Sequence, residues 1–118
     1  MSAFADILES LVRRVPGTVA AIFVDYEGEA VDLWSELPRV DVQLIGAHWS
    51  VVFGLASDHL AATIGDVEEI WIEAAQGLVL IRRVTDEYYV VLAAKPGTHL
   101  ASARRELERG ATTLFGEI

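Results

Sequence analysis

From Val42 to Ser57 the chain reads "VQLIGAHWSVVFGLAS", 16 positions without a formal charge, in a sequence where charged residues make up 23%. The run lies inside a longer helical pattern, Val40 to Ile64, opened by Pro38 and Arg39 and ended by Gly65. At 1.5 Å per residue such a helix spans about 38 Å, long for a small domain. Projected at 100° per residue it is apolar nearly all the way round. One face collects Gln43, Gly46, Ala47, Ser50, Gly54, Ser57 and Ala61, nearly all small. The other collects Ile45, His48, Val52, Leu55 and His59, with Leu44, Trp49, Val51 and Ala56 on the flanks. A helix on the outside of one sheet needs a single apolar stripe, and this one has two. The run predicts that one side packs on the chain's own sheet while part of the rest meets the same helix of a second subunit, in a two-fold contact. Glycines 46 and 54 with Ser50 between them would let backbones approach closely, at about 1 kcal/mol of helix propensity per glycine.

The remaining pattern supplies the sheet. Phe4, Ile7, Leu8, Leu11 and Val12 recur at helical spacing after a Ser2 cap, and Pro16-Gly17 ends that first helix. "TVAAIFVD" and "EAVDLWSE" read as strands of a hairpin turning at Tyr26 to Gly28. In the second, alternation puts Val31 and Leu33 on one face and Ala30, Asp32 and Trp34 on the other. After the long helix come "VEEIWIEAA", "LVLIRRV" and "YYVVLAA", and then a last helix from Thr98, its cap, to about Phe115. The expected fold is α+β, in the order α-β-β-α-β-β-β-α: a five-stranded antiparallel sheet with the long helix on one face and the terminal helices on the other. Residues 1–118 form one domain, without linker or repeat, large enough to bury about two-thirds of its unfolded surface.

Composition narrows the function classes. A net charge of −9 and a pI near 4.6 disfavour nucleic acid and anionic membrane as partners. With 53% hydrophobic residues and a mean hydropathy of +0.36, some apolar surface is expected to meet another chain. The absence of cysteine excludes disulfides and thiol chemistry and fits a cytoplasmic location. No secretory leader is read at the N-terminus, and the uncharged run falls short of the ~20 residues of a bilayer span, so no membrane insertion is expected.

Three histidines invite an enzymatic reading, which spacing opposes. His48 and His59 are about 16 Å apart along a helix axis, too far to share a metal ion. Ser57, Asp58 and His59 are adjacent and diverge by about 100° per step, so they do not form a proton relay. Neither a G-x-G-x-x-G nor a G-x-x-x-x-G-K-[ST] loop occurs, so the chain is not itself a GTPase, and no cofactor is implied. Arg82, Arg83, Arg104, Arg105 and Arg109 are the cations it could offer in trans to a partner's phosphate chemistry, though surface pairing is their ordinary role.

One strand pair carries a charged cluster. A two-residue turn at Gln76-Gly77 would set Trp71 opposite Arg82, with Glu69 and Glu73 diagonal to that arginine. Trp71 on an edge strand then marks a surface that could pair with its mate or receive a partner. Acids of the first hairpin, Asp25, Glu27, Glu29, Asp32 and Glu36, lack calcium-loop spacing and read as a solvated face or a dock for a basic partner.

The opening "FADILESLVRRVPGTVAAIFVDYEGEAVDL", the long central helix, "GLVLIRRVTDEYYVVLAA" and the final helix together resemble the roadblock (dynein light chain) family across essentially the whole chain. The resemblance implies a homodimer or heterodimer whose central helices pair and whose sheets join edge to edge. It also implies a platform for a Ras-like small GTPase or another roadblock protein, as in bacterial cell polarity and gliding motility. The extra terminal tails of some GTPase-activating members are not read in this sequence, which leaves an adaptor role open as the expectation. The expected interface is Ile45, Gly46, Trp49, Ser50, Val52, Phe53, Gly54, Leu55 and Trp71, with Glu69, Glu73, Arg82 and Arg83 as partner-contact charges. The competing expectation is a small-ligand sensor of profilin-like or PAS-like kind, enclosing a pocket between helix and sheet.

Overall fold

The computed structural model describes residues 2–118. Helix α1 (Ala3–Arg14) is followed by strands β1 (Thr18–Asp25) and β2 (Ala30–Ser35), helix α2 (Arg39–Ile64), strands β3 (Glu69–Ala74), β4 (Gly77–Arg83) and β5 (Tyr88–Ala94), and helix α3 (Leu100–Gly116). The strands form one antiparallel sheet in the order β2-β1-β5-β4-β3. The expected architecture is present: α1 and α3 share one face, and α2 lies on the other.

The sheet's centre is apolar on both faces because both are covered. In β1 and β5 successive residues, Ala20 to Val24 and Tyr89 to Ala94, are buried without alternation. Their odd and even positions feed two separate cores. Phe23, Leu80, Val90 and Leu92 join Leu8, Leu11, Leu107 and Leu114 of α1 and α3. Ile22, Val24, Ile81 and Val91 join Val42 and Phe53 of α2.

Two local expectations are corrected. The sequence places Ala30 with Asp32 and Trp34, but the pairing of β1 with β2 shifts between Phe23 and Val24, so Ala30 opposes Val24 and packs on the α2 side with Leu33. An extra residue in one strand flips the face of everything before it. Helix α3 begins after His99, whose Nδ1 accepts from the Ser102 amide at 3.2 Å, while the Thr98 hydroxyl donates to the Lys95 carbonyl at 2.7 Å. Ser2 caps α1 as read, accepting from the Ala5 amide at 3.1 Å.

Candidate interaction surface

Helix α2 is longer than the sheet beneath it. Its 26 residues span about 39 Å, whereas a seven-residue strand covers about 23 Å. The side it gives the sheet is Val42, Gly46, Ser50 and Phe53, all buried. At Gly46 a Cβ would stand 2.8 Å from Val24 Cγ1 and 3.2 Å from Ile22 Cγ2, so glycine is what lets helix and strand meet there. Phe53 stacks on Tyr89 with ring centroids 4.7 Å apart, and burial pushes the Tyr89 phenol up from its ordinary range against a smaller opposing pull from Arg83.

This assigns the faces and corrects three nominated interface residues. Gly46, Ser50 and Phe53 are turned into the chain's own sheet, where Gly46 and Ser50 let the helix approach the strands and Val42 and Phe53 fill the core beneath it. Ile45, Trp49 and Val52 are half-buried, Leu55 is exposed, and a Cβ at Gly54 would meet nothing within 4 Å. The outward side carries Val40, Leu44, Val51 and Leu55, each more than half exposed. Val40, Leu44 and Val51 are not among the expected interface residues, although the projection sets Leu44 and Val51 on the flanks of the outward side. From Asp58 to Ile64 every residue is exposed, past the end of the sheet. By length and composition alone α2 could cross a bilayer, but its buried side is occupied by the sheet.

Beside α2 the sheet is less covered. Ile70 of β3 packs against the core beneath α2, and beyond it lies a cleft of about 320 Å³ walled by Ile45, Trp49, Ile72, Ala74, Val79 and Ala93, among others. Strand β3 is the last in the sheet, with one hydrogen-bonding edge unpaired, and Trp71 and Ile72 are 43% and 39% exposed on its two faces. The unpaired edge and the apolar cleft lie side by side, leaving backbone groups and apolar side chains without partners within the chain.

The charged cluster is present in a different register. Ala74 pairs with Gly77, so Ala75 and Gln76 form the turn, and Trp71 faces Leu80 while Glu69 faces Arg82. Gly77 belongs to the strand, where a Cβ would stand 3.2 Å from the Ala94 carbonyl oxygen of β5. The guanidinium over Trp71 is that of Arg104 from α3, 4.3 Å from the ring centroid. The nearly buried Glu69 carboxylate accepts from Arg104 at 2.6 Å and Arg82 at 3.3 Å. Arg83 faces the α2 side, where it donates to the Val67 carbonyl at 3.0 Å and pairs with Asp86 at 3.2 Å. Arg82, Arg83 and Glu69, nominated as partner-contact charges, are therefore engaged within the chain, and Glu73 remains exposed. The cluster fastens an exposed strand to α3.

Among the described residues no three His, Asp or Glu side chains gather as a metal-binding group. The first-hairpin acids lie apart from the cleft: Asp25 Oδ1 accepts from the amides of Glu27 and Glu29, and the Asp32 carboxylate bonds the Ser2 hydroxyl.

A scan of the sequence against protein-family models finds no match, and a search of curated proteins finds no relative. Solved structures do match. A Roadblock/LC7 domain from Streptomyces avermitilis superposes with a TM-score of 0.88 over 98% of each chain, at 18% identity. MglC from Myxococcus xanthus gives 0.72 over 96% of this chain and 97% of its own, at 24% identity. An MglB in a tetrameric arrangement gives 0.84 over 98% and 90%, at 14% identity. The chain has the roadblock fold, in agreement with the resemblance read from its apolar pattern.

Proposed function

We propose that the chain is a non-enzymatic, dimeric adaptor of the roadblock type, which binds a Ras-like small GTPase module or another roadblock protein in bacterial cell polarity or motility. The observation that carries this reading is the bare edge strand β3 beside the α2 cleft, on a roadblock fold. Two copies meet side by side along β3, with Trp71 and Ile72 on the joined strands and Ile45, Trp49 and Val52 of each α2 closing the cleft. Burying these side chains stabilises the pair by about 25 cal/mol per Å² of apolar surface, before the cost of association.

Light scattering on a sizing column should give twice the chain mass at tens of micromolar, and Ile72→Glu should lower it. A strict monomer would overturn the dimer. Pull-down with candidate GTPases loaded with GDP or GTP should recover a GTPase or a roadblock chain. The competing small-ligand sensor has one observation in its favour, the same apolar cleft; a co-purifying small molecule detected by mass spectrometry would select it.

A further inference from the structure

The sheet has a second end. Strand β2 is its other outermost strand, and Val31 within it and Leu37 just past it are 44% and 39% exposed. An apolar edge of this kind invites a further strand. Register decides which of its backbone groups are open. Ala21 pairs with Trp34 and Ile22 with Leu33, and the Glu36 amide donates to the Val19 carbonyl at 2.9 Å. Because an antiparallel ladder alternates, Trp34 and Glu36 turn their backbone groups toward β1, and the amides of Leu33 and Ser35 face away from the sheet.

The outward Leu33 amide is already taken. Asp32 Oδ1 accepts from it at 2.9 Å, while Asp32 Oδ2 accepts from the Ser2 hydroxyl. The Ser2 oxygen accepts in turn from the Ala5 amide at 3.1 Å, at the start of α1, and α1 packs over β1 and β2. One carboxylate thus joins the cap of a helix to the backbone of the edge strand beneath it. Its bonds are charge-assisted, stronger than the bond that an incoming peptide carbonyl would offer the same amide. Strand β3 has no such device. There the Arg83 amide donates to the Glu68 carbonyl at 3.0 Å, so the amides of Glu69, Trp71 and Glu73 face outward, and among the described residues no side chain accepts from them.

We propose that Asp32 closes the β2 edge to strand addition, so that edge pairing is confined to β3 and stops at two copies. A sheet with two open edges joins at both and grows beyond a pair. The occupant kept out is the β2 strand of a second copy, running antiparallel about a two-fold axis at Leu33, where the two Leu33 residues would exchange amide-to-carbonyl bonds. The limit at two copies rests on the β3 contact proposed above. The closure of β2 does not.

Two substitutions separate the bond from the charge. Asp32→Ala removes both and frees the Leu33 amide. Asp32→Asn removes the charge but keeps an oxygen that accepts from that amide. Glu29 and Glu36, exposed at the two ends of β2, remain in either variant, so repulsion between edges falls equally in both. Association is read by sedimentation velocity at tens of micromolar, in the parent chain and in Ile72→Glu, with circular dichroism to verify the fold. Asp32→Ala should sediment as a larger species than its parent in both backgrounds, and should grow with concentration. Asp32→Asn should match its parent.

Hydrogen exchange of the unsubstituted chain, in dilute solution, gives a reading that no folding defect can blur. Corrected for sequence, the Leu33 amide should exchange roughly tenfold more slowly than the Ser35 amide, the next outward donor on the strand. The difference should vanish in Asp32→Ala and persist in Asp32→Asn. Equal exchange of the two amides in the unsubstituted chain, a folded Asp32→Ala protein no larger than its parent, or an Asp32→Asn protein as large as Asp32→Ala would each overturn the proposal. Failure of the β3 contact looks different. Ile72→Glu then leaves the mass of the parent unchanged, while Asp32→Ala still raises it.

Discussion

The two faces of the sheet are finished to different degrees. On one, α1 and α3 close over Phe23, Leu80, Val90 and Leu92 with a continuous set of fully buried leucines. On the other, a helix of greater length lies mainly over β1 and β2, reaches β4 and β5 less, leaves Ile72 of β3 uncovered and keeps Val40, Leu44, Val51 and Leu55 in solvent. Both faces draw on equally apolar strands, so the contrast does not come from composition. It comes from geometry: two short helices side by side can roof a sheet, whereas one long helix covers a diagonal stripe. The first face is closed within one chain, whereas the second keeps large apolar side chains in solvent.

The strongest way to break this contrast is to remove equivalent leucines from each face. Leu107→Ala, in the closed core, should cost about 3 kcal/mol and lower the melting temperature of the dilute protein sharply. Leu44→Ala, on the outward stripe, should change the dilute protein's stability by less than about 0.5 kcal/mol. Equal losses in thermal unfolding at low concentration would mean that the two faces are equally packed.

The two glycines of α2 sharpen the same contrast on a smaller scale. Gly46→Ala places a methyl group 2.8 Å from Val24, an overpacking cost of about 2 kcal/mol that outweighs the helical gain of about 1 kcal/mol. Gly54→Ala meets nothing and keeps the whole helical gain. Chemical denaturation should therefore move in opposite directions for the same substitution eight residues apart on one helix. A bulky residue at Gly54 would leave the isolated fold alone and report only on contact with another molecule.

The long helix was legible because its signal is redundant: 25 residues of helical spacing survive errors at any one position. Its two-sidedness was legible for the same reason. The choice of side was not, since Gly46 and Ser50 could equally serve a tight contact between copies or with the sheet. It is settled by what β1 presents, Ile22 and Val24, whose bulk calls for small partners. The register of β3 against β4 was misread because Gly77 looks like a turn residue, while its reason for being glycine lies across the sheet at the Ala94 carbonyl. The bulge near Val24 leaves no mark on alternation until the partner strand is known. Trp71 does carry an arginine over its ring, but that arginine comes from α3, 33 residues on, and helix-to-sheet partners of that kind have no periodicity to betray them.

That cluster supplies the smallest and most local of the expected effects. Glu69 holds two guanidiniums with its side chain 6% exposed, while Arg82 and Arg104 remain 22% and 46% exposed. Water screens the arginines, so the pairs contribute modestly, and Glu69→Gln should cost about 1 kcal/mol. The loss should be uneven. Strand β3 has β4 on one side and nothing on the other, so its tie to α3 through Glu69 matters more there than anywhere else in the sheet. Hydrogen exchange should show the amides of Glu69 to Ala74 opening first in Glu69→Gln while β1 and β5 keep their protection. If exchange rises evenly across all five strands, the cluster supports the whole fold rather than the bare edge. The edge strand would then owe its order to β4 alone.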